Sequence, residues 1–378
     1  MHSFRHLAGR LAHAALTVFT AATLAVATTA HADITIGQTA GITGTVAASV
    51  KEATQGAKVY FDAVNASGGV NGQKLVLVSL DDKFDPKLAV ANAKTLIDQG
   101  VITLFLNRGT PHTQALMPLL TEHKIPLVGP STGAMVLHKP VHPWLFNVRA
   151  TYQREAERAI EHLSLIGMER IAIVQVDDTF GDDAVAGALA GLSKVNKTAV
   201  AHEKYDRAKP DFAPIVPRLM AKQAQAVLFI GSGTAIVQGM KAVRAAGLNA
   251  QLVTLSNNAT AGFVKDLGEI GYGVIVSQVY PYERSISRPI IKEALEATQK
   301  AGVELTPTVV EGYVSAKVLV EGLKRAGKQP TRASLRQALE GMSRFDVGGI
   351  EVGYSPTDHS GLDYVDLAII DHSGKFRR

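Results

Sequence analysis

The chain of 378 residues is 46% hydrophobic and 19% charged, an ordinary globular composition with length enough for two domains. Its formal charge of +5 comes from Lys and Arg scattered among few aromatics, which excludes a nucleic-acid footprint. There is no cysteine, so stability rests on the core and not on disulfides.

Residues 1–32 differ from the rest. Arg5 and Arg10 precede a run of Ala, Leu, Val and Thr from Leu11 to Ala30, which ends in Ala30-His31-Ala32. A basic start, a weakly apolar run and an A-x-A site predict a signal peptide cleaved before Asp33, and hence export to the periplasm. The run is too poor in large apolar residues for a stable membrane span, and no later segment is long and apolar enough.

From Asp33 the chain alternates strand and helix. Asp33–Gly37 is a strand entering a Gly-rich turn, and a helix follows through Gly56, Tyr60 and Val64. A loop rich in turn residues, 65–72, leads to a strand at 74–80, after which Asp85 and Pro86 have the types of an N-cap and a first helical residue. Two copies of one unit come next. Ile102–Leu106 runs into Asn107-Arg108-Gly109-Thr110, and Ile125–Val128 runs into Gly129-Pro130-Ser131-Thr132-Gly133, with a helical spacing of apolar residues between them. Neighbouring parallel strands end on the same sheet edge, so both turns should open into one crevice. Free backbone N–H groups and hydroxyls at helix starts suit an anion, which points to a small ligand bearing a carboxylate.

The alternation restarts at Trp144. Strands are expected at 144–148, 170–176, 226–230, 252–255 and 274–280, with helices at 151–166 and after Asp177-Asp178-Thr179-Phe180-Gly181 and Gly231-Ser232-Gly233-Thr234. Two long helices, 289–301 and 308–326, a short one at 334–339 and a strand-rich tail complete the chain. The expected fold is α/β: two similar lobes, each a mostly parallel sheet with helices on both faces, joined by a multi-strand hinge. Residues 33–149 plus 280–345 form the first lobe and 150–279 plus 346–378 the second, with crossings near Arg149, Val279 and Phe345. A cleft between such lobes is a usual ligand site, and Tyr152, Phe180 and Tyr280 are candidates to pack on a ligand body.

Other chemistries have partial signals. Gly129-Pro130-Ser131-Thr132-Gly133 has the form of a nucleophile elbow, which would make Ser131 a hydrolase serine, but Pro140 leaves no room for the long helix that should follow. Gly231-Ser232-Gly233 begins a dinucleotide fingerprint whose third glycine and distal acid are missing. No His pair has metal spacing, and apart from His112, in the first-lobe turn, the histidines read as surface residues. Asp81-Asp82 and Asp177-Asp178 read as turn and capping residues. No cofactor is expected.

Six segments in order, Val64–Gly72, Asp81-Asp82 with Asp85-Pro86, Leu104–Thr113, Val128–Gly133, Phe146–Ala150 and Asp177–Gly181, resemble the leucine/isoleucine/valine-binding family of periplasmic solute-binding proteins. These are type I binding proteins that serve ABC transporters. The resemblance covers nearly all of the chain after residue 32. It implies a monomeric receptor whose lobes close on a small solute without chemistry, with a permease and ATPase in the inner membrane as partners. The solute would be a branched-chain or other amino acid, an amide, or an organic or aromatic acid. By position, Asn107, Gly109, Thr110, Ser131, Thr132 and Gly133 would hold a ligand carboxylate, with Arg108 adding a fixed charge. Phe180 would line the cleft, near Ser232 and Asn257. Amino-acid binders of the family carry an acid near Asn257, where this chain reads Ser256-Asn257-Asn258-Ala259-Thr260. That points away from a simple branched amino acid and leaves Asp178 as the candidate for a cationic group. A ligand sensor that signals to a protein partner would share these features.

Overall fold

A computed structural model describes residues 32–378; the expected signal peptide, apart from Ala32, lies outside the described residues. The first lobe opens with β1 (Ile34–Ala40), α1 (Ala47–Ala66), β2 (Leu75–Asp81), α2 (Pro86–Asp98), β3 (Thr103–Phe105), α3 (Thr110–Glu122), β4 (Leu127–Val128) and β5 (Leu145–Phe146). The second follows with α4 (Tyr152–Leu165), β6 (Ile171–Val176), α5 (Thr179–Lys194), β7 (Ala201–Tyr205), α6 (Ile215–Ala221), β8 (Ala226–Ile230), α7 (Thr234–Ala245), β9 (Gln251–Thr254), α8 (Ala261–Leu267) and β10 (Ile275–Gln278). Helices α9 (Pro289–Lys300), α10 (Pro307–Arg325) and α11 (Arg332–Glu340) come next, followed by β11 (Phe345–Asp346), β12 (Glu351–Val352), β13 (Asp366–Ile370) and β14 (Phe376–Arg377).

The two sheets repeat one topology. The first has the order β2-β1-β3-β4-β5, all parallel. The second has β7-β6-β8-β9-β10 in parallel, extended by the antiparallel β13 and β14. In each lobe the strand order reverses between the first and third strands, β1 and β3 or β6 and β8. Ligands of open α/β sheets bind beside such a reversal, at the carboxyl ends of the strands. The inner strands β6 and β8 are buried along their whole length, as a sheet covered on both faces requires.

Local chemistry explains the helix starts. Asp85 accepts from the Lys87 N–H with Pro86 at the first helical position, as its sequence predicts. Thr151 caps α4 and Thr306 caps α10 in the same way. Helix α4 buries Tyr152, Glu155, Ala156, Ala159, Ile160 and Leu163, a stripe of helical period.

Val347, Ile350, Val352, Tyr354 and Leu362 share an apolar cluster with Ile34, Phe61, Phe105 and Leu319 of the first lobe. The chain joins the second sheet only at β13. On this packing we place the third crossing between Leu362 and Asp366, later than the expected position near Phe345. His138 and His359 correct the surface reading of the histidines. Both are buried, and His359 stacks on Phe146 at 4.0 Å between ring centroids.

Candidate functional site

The turns after β3 and β4 are stitched together. Ser131 N donates to Asn107 O at 2.8 Å, and the Arg108 guanidinium donates from Nη1 to Ser131 Oγ at 2.8 Å. The hydroxyls of Thr110 and Thr132 meet at 2.8 Å. Asn107 uses its Nδ2 on Thr113 Oγ1 and leaves a buried Oδ1 without a partner. Gly109 precedes α3 with φ of 97°, a conformation glycine adopts freely, and offers no side-chain cap to the N–H groups of Thr110 and His112. The expected union of the two turns is therefore what the fold builds.

The second lobe supplies the facing wall. Asp178 caps α5, with Oδ1 accepting from Phe180 N at 2.9 Å and Gly181 N at 3.2 Å, while Oδ2 pairs with Arg207 at 2.5 Å. Both carboxylate oxygens are thus committed. Tyr152 and Phe180 pack together at 4.5 Å, and Arg149 lies over the Tyr152 ring at 4.6 Å. Asn257 Nδ2 donates to Gly231 O at 2.8 Å and Ser232 Oγ at 3.0 Å, with its buried Oδ1 left open. Tyr280 is buried past the end of β10. Gly133 O accepts from Tyr152 N at 2.8 Å, tying the first-lobe turn to the start of α4.

The two walls touch. Arg108 Nη2 donates to the main-chain O of Asn257 at 2.8 Å, and Thr308 Oγ1 donates to Ala259 O at 3.0 Å. Gly233 has φ 57° and ψ −133°, a region closed to side chains, and a Cβ there would lie 1.9 Å from Thr45 O. Between the start of α1 and the turns at Gly233 and Asn257 is a cavity of about 200 Å³. Arg207 also lies over Phe84 at 5.1 Å, and Phe84 stacks on His112 at 4.4 Å. Burial pushes His112 down to about 4.

Two buried arginines divide the electrostatics. Arg149, 1% exposed, pairs with Glu155 and lies 3.9 Å from Glu311. Burial acts to lower its pKa, but the carboxylate of Glu155, followed by Tyr152 and Glu311, more than offsets this and raises it. Arg108 is 3% exposed and its two partners are neutral oxygens. Burial lowers its pKa, with Tyr152 and Glu311 opposing. Among the described residues no carboxylate stands within ion-pair distance of Arg108, and a buried guanidinium left so is costly unless a counter-charge reaches it.

Sequence reasoning missed Arg149, Glu155 and Glu311 as cleft groups. Glu155 reads as a first-turn helix acid, which is a common surface role. Glu311 is the more telling case, an acid inside the apolar face of α10. A charge at an otherwise buried position was the available signal.

A double-wound, two-lobe α/β fold with polar turns facing across a closed cleft defines a solute-binding receptor. The chain belongs to the periplasmic binding protein family, whose profile matches residues 33–375. It is 24% identical over 342 residues to a Leu/Ile/Val-binding protein homolog 3 of Brucella melitensis, covering 89% of this chain and 91% of the relative. It is 25% identical over 269 residues to the Leu/Ile/Val-binding protein of Escherichia coli, covering 71% and 73%. A substrate-binding periplasmic protein from Ralstonia solanacearum superposes with a TM-score of 0.84 at 32% identity, over 91% of this chain and 99% of that one. The protein is thus a periplasmic solute binder and not an enzyme. The elbow-like segment lacks the context of a hydrolase: after Gly133 the chain makes one short turn, Met135–Leu137, where a hydrolase needs a helix.

Proposed function

We propose that this protein is the solute receptor of an ABC importer and captures a small carboxylate-bearing molecule in the interlobe cleft. The observation that carries the reading is Arg108, buried without a carboxylate partner beside the hydroxyls of Ser131, Thr110 and Thr132. A ligand carboxylate supplies the missing counter-charge and accepts charge-assisted bonds from the same turn. Asn107, Gly109 and Gly133 shape that end of the site. Tyr152, Phe180 and Tyr280 form its apolar side, with Ser232 and Asn257 on the second lobe and Asp178 fixing Arg207 at the rim. The Leu/Ile/Val-binding names of the relatives support a solute of amino-acid size.

In this reading residues 1–32 direct export, the monomer closes on its solute, and the closed form is delivered to a permease and ATPase complex in the inner membrane. Titration calorimetry with small carboxylates and their methyl esters tests the central point. The acids should bind and the esters should lose roughly 10- to 150-fold, the equivalent of one charge-assisted contact. Equal affinity for acid and ester would remove the carboxylate from the reading.

A further inference from the structure

The turn after β2 holds two consecutive residues in the left-handed region, Lys83 with φ of 52° and Phe84 with φ of 60°. A bulky side chain adopts that conformation only where its surroundings fix it, and such strain gathers at working sites. Two aspartates do the fixing. Asp81 Oδ1 accepts from Lys83 N at 2.9 Å, and Asp82 Oδ1 accepts from Phe84 N at 2.9 Å. Thr43 Oγ1 holds Asp81 at 2.6 Å, and Thr39 Oγ1 holds Asp82 at 3.2 Å. The neighbouring turn is trimmed to admit the ring. A Cβ at Gly109 would lie 2.9 Å from Phe84 Cε2 and 2.7 Å from His112 Nδ1. Packing beside Ala40, Val46 and Val50 accounts for part of this placement. It does not account for what the second lobe brings to the same ring.

Arg207, just past the end of β7, places its Cζ 5.1 Å over the Phe84 ring, within range of a cation–π contact. Its Nε donates to Asp178 Oδ2 at 2.5 Å, while Asp178 Oδ1 caps α5 through Phe180 N and Gly181 N. One aspartate thus fixes both the guanidinium and the start of the helix that carries Phe180. On the first-lobe side, Phe84 stacks on His112 at 4.4 Å. Burial pushes His112 down to about 4, so its ring is neutral at ordinary pH and does not repel Arg207. Arg108, depressed chiefly by burial, also feels the positive charge of Arg207. The contact therefore stands at the edge of the cleft, between the turn after β3 and the start of α5, and it is made by protein groups alone.

We propose that Phe84 and Arg207 form a clasp across the rim of the cleft, which must part before a solute leaves, so that the pair sets the rate of opening and not the choice of solute. The clasp rests on the interlobe-cleft reading above and is independent of the solute's carboxylate. Ring and guanidinium meet only when the lobes are together, so their attraction favours the closed state alone and shifts the equilibrium by that difference. The left-handed turn belongs to the first lobe by itself. Its strain is present whether the cleft is open or closed, and it holds the ring ready for Arg207, which lowers the ordering cost of closure.

The test reads opening directly. The chain has no cysteine, so Lys94→Cys on α2 and Lys241→Cys on α7, both exposed and on different lobes, carry a dye pair without background. Single-molecule energy transfer gives the open and closed dwell times of the free protein, and of the protein with leucine or with 4-methylpentanoate, the acid of the same skeleton without the amino group. Phe84→Leu keeps apolar bulk beside Val46 and removes the aromatic face. Arg207→Gln removes the charge from the other lobe and leaves the packing of Phe84 untouched. Each should shorten the closed dwell by roughly 2- to 30-fold, the range of a cation–π contact, and leave the open dwell within about twofold. The double variant should match the more affected single one, because the two residues share one interaction. Unchanged closed dwells in both single variants overturn the clasp, and so do losses that add in the double variant. A Phe84→Leu protein that melts lower yet dwells like the wild type makes the ring a packing residue only. A protein that never closes, with or without either acid, removes the clasp and hinge closure together. Faster opening in the variants with neither acid recognised leaves the clasp standing and sinks the carboxylate reading.

Discussion

Arg108 of the first lobe reaches across the cleft and donates to the main-chain oxygen of Asn257 in the second at 2.8 Å. With Nη1 on Ser131 Oγ, one guanidinium spans the two walls and fixes their separation. In the proposed reading a cation so placed serves both recognition and closure, because a ligand carboxylate bound to it would be drawn against both lobes at once.

The first prediction separates ligand binding from stability. Arg108→Gln should cost carboxylate binding about 3–5 kcal/mol, the loss from breaking a buried charge pair, or more than 100-fold in affinity. The free protein should melt at the same temperature or higher, because an unpaired buried charge has been removed. Calorimetry and thermal melting on one preparation check both. A variant that loses stability without ligand and keeps its affinity would make Arg108 a structural strut alone.

Thr110→Val and Thr132→Ala remove hydroxyls that meet at 2.8 Å in the same turn. Each should weaken carboxylate binding by about 1.5–3 kcal/mol, roughly 10- to 150-fold, since hydroxyl bonds to an anion are charge-assisted. The two losses should not add, because the hydroxyls share one hydrogen-bond pair. A double-mutant cycle by calorimetry measures the coupling, and wild-type affinity in both single variants would take these turns out of the site.

The crevice turns were legible in the sequence because strand, turn and helix start are local, and parallel topology brings adjacent turns to one edge. Thr110, Ser131 and Thr132 emerged that way. Strand β7 escaped notice because Ala201–Tyr205 alternates exposed and half-buried residues at a sheet edge, with no apolar run to mark it. The charge cluster of Arg149, Glu155 and Glu311 was invisible for another reason. It joins the first crossing, α4 and α10, and such contacts depend on tertiary packing that no spacing rule encodes. Asp178 shows the converse: it looked available in sequence, yet its own helix and Arg207 use both of its oxygens.

Closure has a steric gauge at Gly262. This residue lies in the first turn of α8 in the second lobe, and a Cβ added there would lie 2.7 Å from Ala48 Cβ on α1 of the first. Its backbone is helical, so alanine is tolerated locally and the clash arises only between lobes. Gly262→Ala should therefore leave the fold intact and disfavour closure by about 1–3 kcal/mol, the usual cost of overpacking. That is roughly 5- to 150-fold in solute affinity. Small-angle scattering should show less compaction on adding solute than in the wild type, and full compaction at unchanged affinity would rule this contact out as a limit on closure.

The acid limit of stability should trace in part to His138. Its side chain is 3% exposed, neither ring nitrogen has a partner, and burial, with Arg149 second, pushes its pKa down to about 4. In the unfolded chain it titrates near its ordinary value of 6.5. Above that pH both states hold a neutral ring and the group is silent. As pH falls below 6.5 the unfolded state takes up a proton that the folded state refuses, so stability declines until the folded ring protonates near 4. The full span is on the order of 3 kcal/mol at about 1.36 kcal/mol per pH unit. Asp183 and Glu283 oppose the trend, because burial raises them to about 6 and about 7, and carboxylates raised on folding favour the folded state at lower pH. The total curve therefore mixes signs, and the test is a difference. Melting of the wild type and His138→Leu from pH 7.5 to 4 should show a constant difference down to about pH 6.5 and, below it, a difference that shifts toward the variant, which loses less stability. Parallel curves across the interval would show that His138 does not set the acid limit.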